Sequence, residues 1–264
     1  MASMSEADGT PLPNLRATIT AGAQVSTPGN GAWRLEIPAG PPGAYRLAQL
    51  DDYSHRPRKK FPWQPPLTFT LQACASASET LPGTWGFGLW NDPFSFSLGI
   101  GGGTRRIPAL PNAAWFFFAS PPNYLSLRDD LPAQGSLAAT FRSPQPPAAI
   151  LAPGVLALPL LAAPSLARLV RKSARRVILQ SAASLQVDTA AWHTYRIEWQ
   201  SGSARFLIDD HTILDTSVSP HGPLGLVLWI DNQYAALPPD GVLGYGALAN
   251  PYPAWIELRN LTIT

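Results

Sequence analysis

The chain has 264 residues, 45% hydrophobic and 14% charged, which supplies ample material for a sizeable core and little for a highly charged surface. Its 19 basic and 17 acidic residues leave a net charge of +2, so no whole-molecule field recruits nucleic acid. One cysteine, Cys74, excludes an intrachain disulfide, and 29 prolines with 21 glycines suit many short strands better than long helices.

Residues 1–13 are polar and acidic, without the basic start and apolar stretch of a secretory signal, so an extended or disordered tail and a cytoplasmic location are expected. Strands are expected at 32–37 and 44–50, the second ending at Asp51, Asp52 and Tyr53. Arg56, Arg58, Lys59 and Lys60 form a short basic patch that reads as a solvated loop. From 67 to 73, Leu67, Phe69, Leu71 and Ala73 alternate with Thr68, Thr70 and Gln72, the period-two pattern of a half-buried strand. Further strands are expected at 84–92 and 113–119. Gly99, Gly101, Gly102 and Gly103 precede Arg105 and Arg106, but no Walker lysine or helix follows, and a flexible hairpin tip is the simpler expectation.

Residues 143–176 break the pattern. The stretch from Ser143 through Ala167 carries no charge, and Arg168, Arg171, Lys172, Arg175 and Arg176 then follow closely. Pro153, Pro159 and Pro164 interrupt any straight membrane span, so no stable membrane insertion is expected. An apolar segment followed by a short basic helix from about Ser165 is expected, with Leu166, Leu169 and Val170 on its buried side. The insertion reads either as a cap on one end of the domain or as a lid over a ligand or a membrane-surface contact. Strands resume at 177–187, 193–199, 204–208, 212–216, 223–231 and 254–263, with a hairpin turn at Gln200–Ser203 and another at Asp209 and Asp210. Together these predict a single all-β domain over 1–264, a two-sheet antiparallel β-sandwich of the jelly-roll kind with a short helical and apolar insertion.

From Trp192 onward the segment WHTYRIEWQSGSARFLIDDHTILDTSVSPHGPLGLVLWIDN resembles the C-terminal half of family 16 glycoside hydrolases and related concanavalin-A-like domains. The matching pieces are His193, Tyr195 and Trp199, then Phe206 to Asp209, Pro220 or Pro223, and Leu224 to Trp229. The strand from Trp255 to Ile263 also fits, and Leu67 to Trp90 does so more loosely. The resemblance implies the sandwich fold. It does not carry the activity, because those hydrolases place nucleophile and acid on one strand face with an E-x-D-x-E motif. The corresponding segment here, Ala113 to Ser120, reads AAWFFFAS and holds no carboxylate, so classical retaining glycosidase chemistry is not expected.

Two segments echo each other as G-x-[GV]-L-W-x-D: Gly86 to Asp92 and Gly225 to Asp231. On strands, Gly86, Gly88, Trp90 and Asp92 share one face, as do Gly225, Val227, Trp229 and Asp231, while Leu89, Leu224, Leu226, Leu228 and Ile230 take the other and form the core. A cleft with a glycine floor, tryptophan walls and carboxylates follows. Asp92, Asp231 and Asp52 are the candidate acid or base groups; Trp90, Trp229, Asp51, Tyr53, Trp115, Phe117, Tyr124, Asn232 and Tyr234 are candidate ligand contacts. Asp92 precedes Pro93 and Asp231 precedes Asn232, so both carboxylates equally fit turns that accept backbone donors, and some tryptophans must be core. His55, His193, His211 and His221 lack a ligating neighbour at metal spacing, so no transition-metal site is expected. No loop has a spacing that demands calcium, although a structural calcium stays open, and no cofactor is expected. Three functions stay open. One is an intracellular enzyme (a carboxylate-dependent lyase, isomerase, cyclase or hydrolase) acting on a hydrophobic or glycan-like small molecule; another is a non-catalytic, lectin-like carbohydrate-binding module; the third is a ligand-free structural domain.

Overall fold

The computed structural model describes residues 14–29, 31–76, 81–93, 106, 109–146 and 162–264. In chain order these form β1 (Arg16–Thr20), β2 (Gln24–Gly29), β3 (Ala32–Ile37), β4 (Leu47–Asp51), β5 (Leu67–Ala75), β6 (Thr84–Trp90), β7 (Ala113–Ala119) and β8 (Gly135–Arg142). After helix α1 (Pro164–Val177) come β9 (Leu179–Ser184), β10 (His193–Trp199), β11 (Ala204–Ile208), β12 (His211–Thr216), β13 (Gly225–Asp231), β14 (Gln233–Ala236), β15 (Gly244–Ala247) and β16 (Ala254–Ile263). The first sheet has the order β1-β4-β13-β6-β7-β8-β9 and the second β12-β11-β10-β5-β16-β3-β2, while β14 and β15 form a separate ribbon. Every strand pairing within them is antiparallel. The expected jelly-roll-type sandwich is what the chain forms.

The period-two pattern decides which side chains meet between the sheets. Trp85, Phe87 and Leu89 of β6, Leu226, Leu228 and Ile230 of β13, and Phe116 and Phe118 of β7 are buried there against Phe69, Leu71, Tyr195, Ile197, Phe206 and Ile256 of the second sheet. Rings cross the interface edge to face: Phe87 and Phe116 lie 4.9 and 5.0 Å from Tyr195, and Phe116 lies 5.4 Å from Phe206. Trp199 is fully buried, and its indole N–H donates to Ser219 Oγ at 3.1 Å and to the Pro220 carbonyl at 3.3 Å. Tyr195 and Trp199, which carry much of the family resemblance, are therefore core residues. His193 instead holds the Asp209 carboxylate through Nδ1 at 2.6 Å.

Three expectations need correction. Helix α1 does begin where expected, but it buries Ala167 and Arg171 and leaves Leu169 and Val170 exposed. Arg58 is not a freely solvated loop residue; it is half-buried in a short 3-10 turn, Arg58–Lys60, and donates to the Asn91 carbonyl at 2.8 Å. Strands β1, β2 and β8 extend the sheets beyond the expected set. The apolar stretch 147–161 and the glycines from 99 to 103 lie outside the described residues.

Candidate functional site

The outer face of the first sheet is laid out by register. Trp229 stands opposite Gln49 of β4 and Gly86 of β6, and Gly86 opposite Phe117 of β7. One row along, Asp51, Val227, Gly88 and Trp115 align; beyond them Gly225 pairs with Trp90. At the other end of β13, Asp231 faces Leu47 and Thr84. Both W-x-D segments thus turn their tryptophans away from the inter-sheet core, as the alternation predicts.

The glycine floor is occupied rather than open. A Cβ on Gly86 would sit 2.7 Å from Trp229 Cη2 and 2.4 Å from the Phe116 carbonyl oxygen, and one on Gly225 would sit 2.5 Å from the Tyr53 ring. The glycines let aromatic rings approach the backbone more closely than any side chain would allow. Tyr53, Phe61 and Val227 are buried there beneath Trp90 and Trp229, and Phe117, Leu137 and Phe141 form an adjoining apolar patch under Trp115. Above this bed the three indoles remain half-buried. Trp90 and Trp229 are parallel within 5° at 6.4 Å, and Trp115 lies 5.7 Å from each, tilted by 50° and 55°.

Each candidate carboxylate is engaged by protein donors. Asp231 Oδ1 accepts from Thr84 Oγ1 at 2.9 Å and from the Thr84 and Gln233 N–H groups at 3.2 Å, while Oδ2 accepts from Tyr45 at 3.3 Å. Burial pushes its carboxyl up to about 7, against the pull of those bonds. Burial, reinforced by the Asp231 charge, pushes the Tyr45 hydroxyl well up, so Tyr45 keeps its proton as a donor. Trp229 Nε1 donates to Thr84 Oγ1 at 3.0 Å, which links the platform to Asp231 through one hydroxyl. Asp51, at the polar edge, accepts from the Tyr53 and Ser54 N–H groups at 3.1 and 2.7 Å and from Gln49 Nε2 at 2.9 Å.

Asp92 has a φ of +50°, a region that short polar side chains tolerate, and it forms an ion pair with Arg106. Arg106 also donates to the carbonyls of Tyr53, Ser54 and Arg56 at 2.8, 2.9 and 2.7 Å, and lies 5.1 Å over the Phe61 ring. Asp52 points elsewhere: it accepts from Trp63 Nε1 at 2.6 Å and the Leu226 N–H at 2.9 Å, and Trp63 packs on the inter-sheet core. Burial pushes its carboxyl up to about 6.

The structure therefore brings together Trp90, Trp115 and Trp229, with Tyr53 and Phe117 beneath and Asp51 beside them. Asp231 joins this group only through Thr84 and Asp92 only through Arg106, and Asp52, Asn232, Tyr124 and Tyr234 stand apart from it. Asn232 is fully buried and holds the chain through the Arg46 N–H at 2.8 Å and the carbonyls of Ala44 and Leu248 at 3.0 and 2.7 Å. Tyr124 belongs to the helix region, where its hydroxyl donates to the Arg128 carbonyl at 3.2 Å and Arg171 lies 5.1 Å over its ring. Tyr234 lies on β14, where its ring covers Gly244 and Gly246. Sequence reasoning missed Gln49 and Thr84, both legible in principle from their even spacing to Asp51 and Gly86, and Arg106, which no local pattern announces. Among the described residues no group of three or more His, Cys, Asp or Glu could hold a metal ion.

No family model and no curated protein matches the chain. Solved structures do. A glycoside hydrolase family protein from Mycobacterium thermorestibile is similar over 91% of this chain and 79% of its own, at 15% identity and a TM-score of 0.47. A legume lectin-like domain from Entamoeba histolytica is similar over 95% and 89%, at 8% identity and a TM-score of 0.48. The β-glucanase of Bacillus licheniformis is similar over 91% and 81%, at 11% identity and a TM-score of 0.43.

Proposed function

We propose that the outer face of the first sheet is a carbohydrate-binding platform that works without catalysis. The supporting observation is the group of half-buried indoles, Trp90, Trp115 and Trp229, set around a packed aromatic bed, with half-buried Gln49 at one edge held in place by the fully buried Asp51. The C–H faces of sugar rings bury apolar area against indole planes, and a few fixed polar tips orient the hydroxyls. Rings already pinned by Tyr53, Phe117 and Gly86 lose little conformational freedom when a ligand arrives, which favours binding. The carboxylates speak for recognition rather than acid or base work: Asp231, Asp92 and Asp51 each spend their oxygens on protein donors.

One observation favours the acid–base reading. Asp231 is half-protonated near neutrality and connects through Thr84 to the Trp229 N–H. In that reading Asp231→Asn abolishes product formation from an oligosaccharide that the wild type converts.

Tryptophan fluorescence during titration with neutral oligosaccharides of increasing length tests the proposal. Saturable quenching is expected, weakened about tenfold or more by Trp115→Ala, as for a central aromatic anchor. Trp192→Ala, in an exposed indole stacked under Arg259 at 4.0 Å, should leave the affinity unchanged. Absence of any saturable response across the series counts against the platform.

A further inference from the structure

Helix α1 is mounted with its aliphatic stripe outward. An amphipathic helix on a globular domain ordinarily turns that stripe to the core. Here the buried position belongs to Arg171, whose Nη1 donates to the Ser126 and Leu237 carbonyls at 2.7 Å. Its Nη2 donates to the Leu127 and Arg128 carbonyls at 3.0 and 3.1 Å and pairs with Asp129 at 2.8 Å. Five acceptors around one guanidinium fix the helix rotation. Leu169, Val170 and Val177 are consequently 58%, 39% and 44% exposed, and Leu179 just beyond the helix is 50% exposed.

At 100° per residue, Leu166, Leu169, Val170, Ser173 and Val177 share an arc of roughly 100°. With Leu110 and Ile178, this stripe borders a shallow apolar groove. The adjoining arc carries exposed Arg168, Lys172 and Arg176, and the helix contains no acidic residue. Among the described residues Asp129 pairs with Arg171 and Arg175, and no ion pair engages Arg168, Lys172 or Arg176.

An exposed aliphatic patch bordered by cations calls for a partner that is apolar inside and anionic at its rim. A second copy of this face would set basic residues against basic residues. A simple polyanion would leave the leucine and valines in water. An anionic bilayer satisfies both halves, because acyl chains receive the aliphatic arc while headgroup phosphates receive the guanidinium and ammonium groups. Among the described residues no helix is long and apolar enough to cross a membrane, and a helix of 14 residues suits the interfacial plane. We infer that α1 is a peripheral docking element for anionic lipid surfaces.

The test is flotation of the full chain with vesicles of phosphatidylcholine alone or with about one third phosphatidylserine. The chain should float with the anionic vesicles, little with the neutral ones, and less in about 0.5 M NaCl, where screening is strong. The double variant Leu169→Ser/Val177→Ser changes only exposed side chains and should keep its thermal unfolding midpoint while losing about tenfold or more of its partition. Reversing Arg168, Lys172 and Arg176 to Glu should abolish flotation, since each cation near the surface contributes about fivefold. The inference is overturned if the chain ignores anionic vesicles, floats equally with both kinds, or is unaffected by the serine substitutions. It is also overturned if sedimentation shows a concentration-dependent dimer that those substitutions dissolve while vesicles are ignored.

Discussion

On the inner face of the first sheet, Phe87, Leu89, Phe116 and Leu228 are closed off from solvent by the second sheet; on the outer face of the same strands, Trp90, Trp115 and Trp229 stay half-buried over a bed of other rings. Both faces are apolar, yet they are built by opposite means. The inner side chains interdigitate with a partner layer, so each stands between two sheets at high packing density. On the outer face Trp229 reaches over Gly86 and Tyr53 covers Gly225, and the three indoles keep part of their surface for something else to touch. Aromatic residues that a fold has pinned but not covered are the ones available for recognition.

Substitutions separate the two faces. Phe87→Ala empties a fully buried site on the inner face and should lower unfolding free energy by about 3–5 kcal/mol, read by denaturant titration. Gly86→Ala should cost about 1–3 kcal/mol, because its Cβ meets the Phe116 carbonyl and displaces the Trp229 ring, and it should also change tryptophan emission. A smaller stability loss together with intact emission would contradict the placement of that ring.

Asp231 tests the polar frame of the outer face. Its carboxyl sits at about 7 when folded and in the ordinary range near 4 when unfolded, so between those values the folded state holds a proton that the unfolded chain releases. Stability from this group is full below about pH 4 and is lost as pH rises through 7. Asp52, raised to about 6, acts in the same direction over a narrower window. Wild-type stability should therefore fall by a few kcal/mol between about pH 4 and pH 8, and Asp231→Asn should flatten most of that slope. At the small end, Leu169→Ser, on a side chain 58% exposed, should change stability by no more than about 0.5 kcal/mol.

The sandwich and the facing of its strands were legible because alternation alone assigns Leu226, Leu228 and Ile230 to one side and Val227 and Trp229 to the other. Strand β2 was not, since it runs along a sheet edge, contains Pro28 and is largely exposed, so it lacks a clean two-residue pattern. The rotation of α1 also escaped a periodicity argument. It is set by carbonyls of residues 126–128 and 237, far from Arg171 in sequence, which outweigh the aliphatic stripe. For the site, spacing identified the tryptophans and could not foresee that rings would fill the space above the glycines. Nor could it reveal that Asp92 would be neutralised by Arg106, a partner 14 residues away.

The chain's nine tryptophans give a residue-resolved measurement, the indole N–H signals of an isotope-labelled sample recorded before and after adding a saturating oligosaccharide. Shifts confined to Trp90, Trp115 and Trp229, with the buried Trp199 and the distant Trp192 unmoved, are the predicted result. Shifts at Trp192 or Trp255 with those three signals unchanged would place the ligand elsewhere and contradict the outer-face platform.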